Sequence, residues 1–85
     1  MKLPNFSKEL IIYEEGDVVE NPFSGESIEL NATELAIYDY IMGLQWMIDR
    51  VGAFNEASFT YQKELRKGLD WFRINNAKAY MVLLD

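Results

Sequence analysis

Between Leu30 and Gly52 the chain reads LNATELAIYDYIMGLQWMIDRVG, and its apolar residues recur at helical spacing. At about 100° per residue, Ala36, Ile37, Tyr40, Ile41, Leu44, Met47, Ile48 and Val51 fall on one arc. That arc is a core face. Asn31 followed by Glu34 has the form of a capping box, and Gly52 suits the left-handed position just past a helix end. The spacing therefore predicts a helix over 32–51. Its other side carries Glu34, Asp39, Gln45, Asp49 and Arg50, yet Leu35, Tyr38, Met42 and Trp46 lie among them. This second apolar stripe needs a cover, either the N-terminal segment or another subunit.

Upstream the period changes from helical to alternating. Residues 1–8 read as an irregular arm that Pro4 keeps from becoming helical, and Glu9 to Glu15, ELIIYEE, has the β-branched and aromatic content of a strand. Gly16-Asp17 then makes a turn before Val18, Val19 and Glu20. Asn21-Pro22-Phe23-Ser24-Gly25 is a second turn signal, with Pro supplying its fixed φ and Gly a positive one, and Ser27 to Leu30 alternates like a strand with one wet face. The prediction over 9–30 is an antiparallel β-meander of three short strands.

Downstream, Asn55 can cap a second helix over 55–75 with a core face of Ala57, Tyr61, Leu65, Gly68, Leu69 and Phe72. The short connection makes it an antiparallel neighbour of the first helix. Gly68 costs about 1 kcal/mol against Ala inside a helix, which suggests close backbone approach or room for a ring such as Tyr40 or Trp46. Asn75-Asn76 breaks the helix, and Asn76 can cap a last element over 77–85 with Tyr80, Leu83 and Leu84 on one side. Its Tyr-Met-Val-Leu-Leu run also suits a strand; a short helix is the expectation adopted. The whole chain reads as one α+β domain, a β-meander followed by an antiparallel helical hairpin and a short C-terminal helix.

Composition narrows the chemistry. The 85 residues include no Cys and no His, so cysteine or histidine zinc sites, thiol catalysis and imidazole acid–base steps are excluded. The turn at Asn21 to Gly25 is placed like a zinc-ribbon knuckle but lacks its ligands. Two Trp, five Tyr and five Phe give a small chain the means to build a rich core. No signal-peptide core or membrane-length apolar run is present, so a soluble, cytoplasmic protein without membrane association is expected.

Charge is divided along the chain. Residues 1–39 carry nine acids against Lys2 and Lys8, whereas residues 40–85 carry five acids against six bases, for a total of −6. An acidic total argues against a binder of nucleic-acid phosphates. It fits a protein that meets a basic partner surface. Lys63, Arg66, Lys67 and Arg73 form a local cationic row on the second helix, which reads as a solubilising face against which the acidic meander of the same or another copy can lie.

Asp39, Asp49 and Asp70, with Tyr38 or Tyr40, are the candidates for acid–base chemistry. Asp39 and Asp49 stand ten residues apart, about 15 Å along a helix axis, too far to act together, so no catalytic residue is assigned. The candidate interface residues are Leu35, Met42 and Trp46, with Trp71 at the edge of the second helix, because Trp and Met concentrate at interface centres.

Four segments, NPFSGE (Asn21 to Glu26), AIYDYIMG (Ala36 to Gly43), KGLDWFR (Lys67 to Arg73) and AYMVLLD (Ala79 to Asp85), resemble those of small proteins encoded by tailed bacteriophages, marine ones among them. The resemblance brings no activity, cofactor or catalytic residue. It implies a phage origin and a life in the cytoplasm of the infected bacterium. The longer spacer between the second and third segments implies longer helices here. The expectation is a non-enzymatic protein–protein interaction module, a homodimer, acting as an accessory factor on a host or phage protein. A minor structural component of the virion is the alternative, and a small carboxylate-dependent enzyme is a third class. No cofactor is called for.

Overall fold

The computed structural model describes residues 14–52 and 54–84. Two strands, β1 (Asp17–Glu20) and β2 (Ser27–Leu30), form an antiparallel hairpin. Two twenty-residue helices follow, α1 (Ala32–Val51) and α2 (Glu56–Asn75). The chain then makes a single helical turn at Ala77–Ala79 and continues into a π-helix at Tyr80–Leu84. The protein is an α+β domain of the kind the patterning predicts.

The hairpin owes its register to its turn. Asn21 Oδ1 accepts from the Phe23 amide at 2.9 Å, the Gly25 amide donates to the Asn21 carbonyl at 2.9 Å, and the Asn21 amide donates to the Glu26 carbonyl at 2.8 Å. Gly25 takes φ 76°, a conformation that a Cβ would strain. The pairing sets Val19 opposite Ile28, both half-buried, while Val18 and Glu29 face outward. One face of the hairpin therefore reaches the core through Val19, Ile28 and the fully buried Leu30.

Two parts of the expected meander come out differently. Glu14 and Glu15 lie in a bend rather than a strand, and Asp17 belongs to β1 rather than to a turn. The rest of the expected first strand, residues 9–13, lies outside the described residues, as does the arm over 1–8. Gly16 sits where the chain crosses the end of β2, so close that a Cβ there would stand 2.0 Å from the Leu30 carbonyl oxygen and 2.8 Å from Asn31 Cα. No larger residue fits without moving backbone.

Helix α1 keeps its predicted limits because both ends are satisfied. Asn31 Oδ1 accepts from the Glu34 amide at 2.8 Å, and Glu34 Oε1 accepts from the Asn31 amide at 2.9 Å, the reciprocal capping box. At the other end Gly52, at φ 90°, donates its amide to the Ile48 carbonyl at 2.8 Å. Ala36, Ile37, Ile41, Leu44 and Ile48 are buried, and Tyr40, Met47 and Val51 flank them at intermediate exposure. The predicted arc is thus the buried arc.

The predicted face of α2 is rolled from its position. Ala57 is exposed, whereas Ser58, Glu64, Gly68, Trp71 and Phe72 are buried. Trp71 and Phe72 meet edge to face, with ring centroids 5.2 Å apart, and both lie in a cluster with Leu30, Ile37, Ile41 and Ala79. Burying two large rings rewards this roll more than burying one small Ala, since aromatic side chains carry about 150–250 Å² each. Its consequence is that Glu64 also turns inward.

The last element follows from packing. Asn76 Oδ1 accepts from the Ala79 amide at 3.2 Å, starting a helical turn, and the π-helix then places Tyr80, Leu83 and Leu84 against the core cluster. The apolar run is helical, of the wider π form, rather than a strand.

Candidate functional site

Two polar ties hold the elements in place, and neither was legible in the sequence as a tertiary contact. Glu34, 6% exposed, accepts through Oε2 from Asn76 Nδ2 at 2.9 Å while its Oε1 completes the capping box. One carboxylate thereby joins the start of α1 to the end of α2. Glu64, 4% exposed, accepts from the Tyr40 hydroxyl at 3.0 Å and pairs with Lys67 Nζ at 3.2 Å. A buried carboxylate needs such partners, because an uncompensated one costs several kcal/mol. Among the described residues no buried side-chain polar atom lacks a partner. These carboxylates are structural.

The residues with candidate acid–base roles do not converge. Asp39 and Asp49 are exposed on α1, and Asp70 pairs with Arg73 on α2. Tyr38 is half-buried, and burial, with the Asp39 carboxylate adding to it, raises its phenol above the usual tyrosine value. A raised phenol stays neutral at physiological pH and is a poor base. Among the described residues no group of three or more acidic side chains is placed to hold a metal ion.

The interface candidates separate into two kinds. Trp71 is 6% exposed inside the core cluster, so it is not a surface residue and cannot anchor a partner; the roll of α2 removes it. Leu35 is half-buried and packs against the same core. Met42 and Trp46 remain outside, at 38% and 57% exposure, and lie across α1 from the buried Ile37, Ile41 and Ile48. The Arg50 guanidinium sits 4.8 Å from the Trp46 ring centroid, a cation–π contact worth about 0.5–1 kcal/mol at an exposed site. That contact places a cation over one face of the indole.

The cationic row on α2 is also divided by the fold. Lys67 turns in to Glu64, and Arg73 pairs with Asp70 while its guanidinium lies 5.8 Å from the Tyr80 ring centroid. Lys63 and Arg66 stay exposed. The acidic hairpin does not neutralise them within one molecule, because it packs on α1 and the π-helix.

The fold is that of a small α+β domain: a helical hairpin stabilised by internal carboxylate ties, with an exposed tryptophan opposite its core. Comparison with protein-family models, with curated proteins and with solved structures returned no match. The likeness to bacteriophage proteins therefore rests on the four sequence segments alone. Among the described residues no helix is long and apolar enough to cross a membrane.

Proposed function

We propose that this protein is a non-enzymatic protein–protein interaction module that pairs with a second copy of itself through the outward face of α1. The observation that carries this reading is Trp46, 57% exposed on the side of α1 away from the core, with Met42 one turn before it. Large aromatic and sulfur side chains in this setting supply the anchor of an interface. Taken with the phage resemblance, the module acts in the cytoplasm of an infected bacterium as an accessory factor for a host or phage protein, with the paired form as the working species.

Sedimentation equilibrium of wild type and Trp46→Ala over about two decades of concentration, in about 1 M salt so that charge-driven contacts are screened, tests it, since association responds to mass action. The wild type is expected to be dimeric where the variant is monomeric. Trp46 is 57% exposed, with its described ring contact to Arg50, so thermal stability of the monomer should fall by less than the about 2–5 kcal/mol of a core truncation. A monomeric wild type, or a variant as dimeric as wild type, would overturn the assignment.

A further inference from the structure

Charge is more sharply segregated in the folded chain than composition alone conveys. From Glu14 to Asp49 there are nine acids and no base. The hairpin turn is the exposed tip of this region: Glu20 and Glu26 flank it, both exposed, and Phe23 at its apex is 98% exposed. A phenylalanine so placed contributes nothing to its own core. The turn is nonetheless well ordered by the three Asn21 and Gly25 hydrogen bonds, and Asn21 Nδ2 ties it to the Val82 carbonyl at 2.9 Å. It is a rigid acidic platform carrying one bare aromatic ring.

A surface of the opposite character lies on α2. An open groove of about 840 Å³ runs along α2 to the π-helix, with Leu65, Leu69 and Tyr80 supplying its apolar part and Lys63, Arg66 and Arg73 its charge. Asp70, paired with Arg73, is its one acid. Among the described residues neither Lys63 nor Arg66 has an ion-pair partner. Its apolar stretch of Leu65, Leu69 and Tyr80 offers a seat for an aromatic side chain. The molecule does not fill the groove with its own turn, because Phe23 is bare.

We propose that this α2 groove receives the acidic Phe23 turn of a second copy of the chain. Phe23 would enter beside Leu65, Leu69 and Tyr80, and Glu20 and Glu26 would face Lys63 and Arg66. The Asn21–Val82 tie fixes the turn beside the π-helix, the element that also lends Tyr80 to the groove; in the proposed pair two copies exchange turns reciprocally about a two-fold axis. This contact is separate from the outward face of α1 and differs from it physically, being electrostatic where that face is apolar. At low salt, where both contacts hold, the wild-type chain assembles beyond a dimer; at high salt only the α1 pair remains.

The test uses the Trp46→Ala chain, which isolates the groove contact. Its mass is followed from about 1 M to about 0.01 M salt, over which the screening length rises from about 3 Å to about 30 Å. Two molecules of net charge −6 repel more strongly as salt falls. An association that strengthens at low salt must therefore come from local complementarity. The expected result is pairing at low salt that is lost at high salt, lost on Phe23→Ala, and weakened about tenfold or more by the double change Lys63→Glu and Arg66→Glu. Mixing that charge-reversed chain with one carrying Glu20→Lys and Glu26→Lys should restore it. The altered side chains are exposed, and circular dichroism reports that each variant is folded. No gain at low salt, pairing that survives Phe23→Ala, or a charge-reversed mixture that stays monomeric would each overturn the proposal.

Discussion

Replacing Glu34 by Ala removes one side chain and releases two ends of the fold. Oε1 and Oε2 each accept one hydrogen bond at 2.9 Å, from the Asn31 amide and from Asn76 Nδ2. Bonds to a charged acceptor contribute about 1.5–3 kcal/mol each. Asn31 is exposed and its amide can return to water, whereas Asn76 is half-buried and regains less. The expected loss is therefore about 2–4 kcal/mol, the Asn76 bond contributing near the lower part of that range and the solvent-accessible Asn31 bond less than it. The Asn31 side chain still caps the residue-34 amide in the variant, so the helix start weakens without unravelling. For a domain of this size each kcal/mol moves the melting temperature by about 4–8 °C, and a fall of at least about 8 °C should be seen. Urea unfolding followed by circular dichroism measures the loss directly. Glu34→Gln keeps one acceptor oxygen and should fall between wild type and Ala. A double-mutant cycle with Asn76→Ala should show coupling of about 1 kcal/mol or more between the two positions. Loss within about 0.5 kcal/mol of zero for Glu34→Ala, or strict additivity with Asn76→Ala, would refute the role given to this carboxylate.

Other perturbations test other parts of the structure. Ile41→Ala and Leu44→Ala, at positions 1% and 5% exposed, should each cost about 2–5 kcal/mol in the same unfolding assay. Gly16→Ala forces a Cβ against backbone atoms of Leu30 and Asn31, and should destabilise by about 1–3 kcal/mol or displace the hairpin, visible as lost amide protection in β1 and β2. The raised Tyr38 phenol favours the neutral form in the fold, so its contribution is complete below the unfolded value of about pH 10 and is lost as pH climbs through the folded value. Tyr38→Phe should flatten the alkaline fall in stability, and tyrosinate absorbance should show Asp39→Asn lowering the Tyr38 transition.

Much of the secondary structure was legible because its signals are local. Asn31 and Glu34 lie within one turn of each other, and so do the Asn21 amide chemistry and Gly25; neither needs the rest of the chain to form. The apolar arc of α1 was equally plain, since a dense 3–4 repeat leaves one orientation that buries it. The exposure of the interface candidates was legible in part. Met42 and Trp46 stand exposed as their position opposite the arc requires, while Trp71 does not.

Tertiary structure decided what depends on competition between faces. Helix α2 is apolar on more of its circumference than one neighbour can cover, and its roll was settled by the rings of Trp71 and Phe72 filling the space between α1, β2 and the terminal turn. That roll took Trp71 inside, turned Glu64 to meet Tyr40 and Lys67, and left Lys63 and Arg66 beside a groove. The YMVLL run is helical because Asn76 and the core cluster hold it so, in the π form that its sequence does not encode. Sequence determined where α1 and α2 begin and end and which side of α1 faces in. Which residues of α2 and the C-terminus face solvent was determined by long-range packing, because side-chain volume and burial are properties of the assembled core and have no fixed position in the period of a single helix.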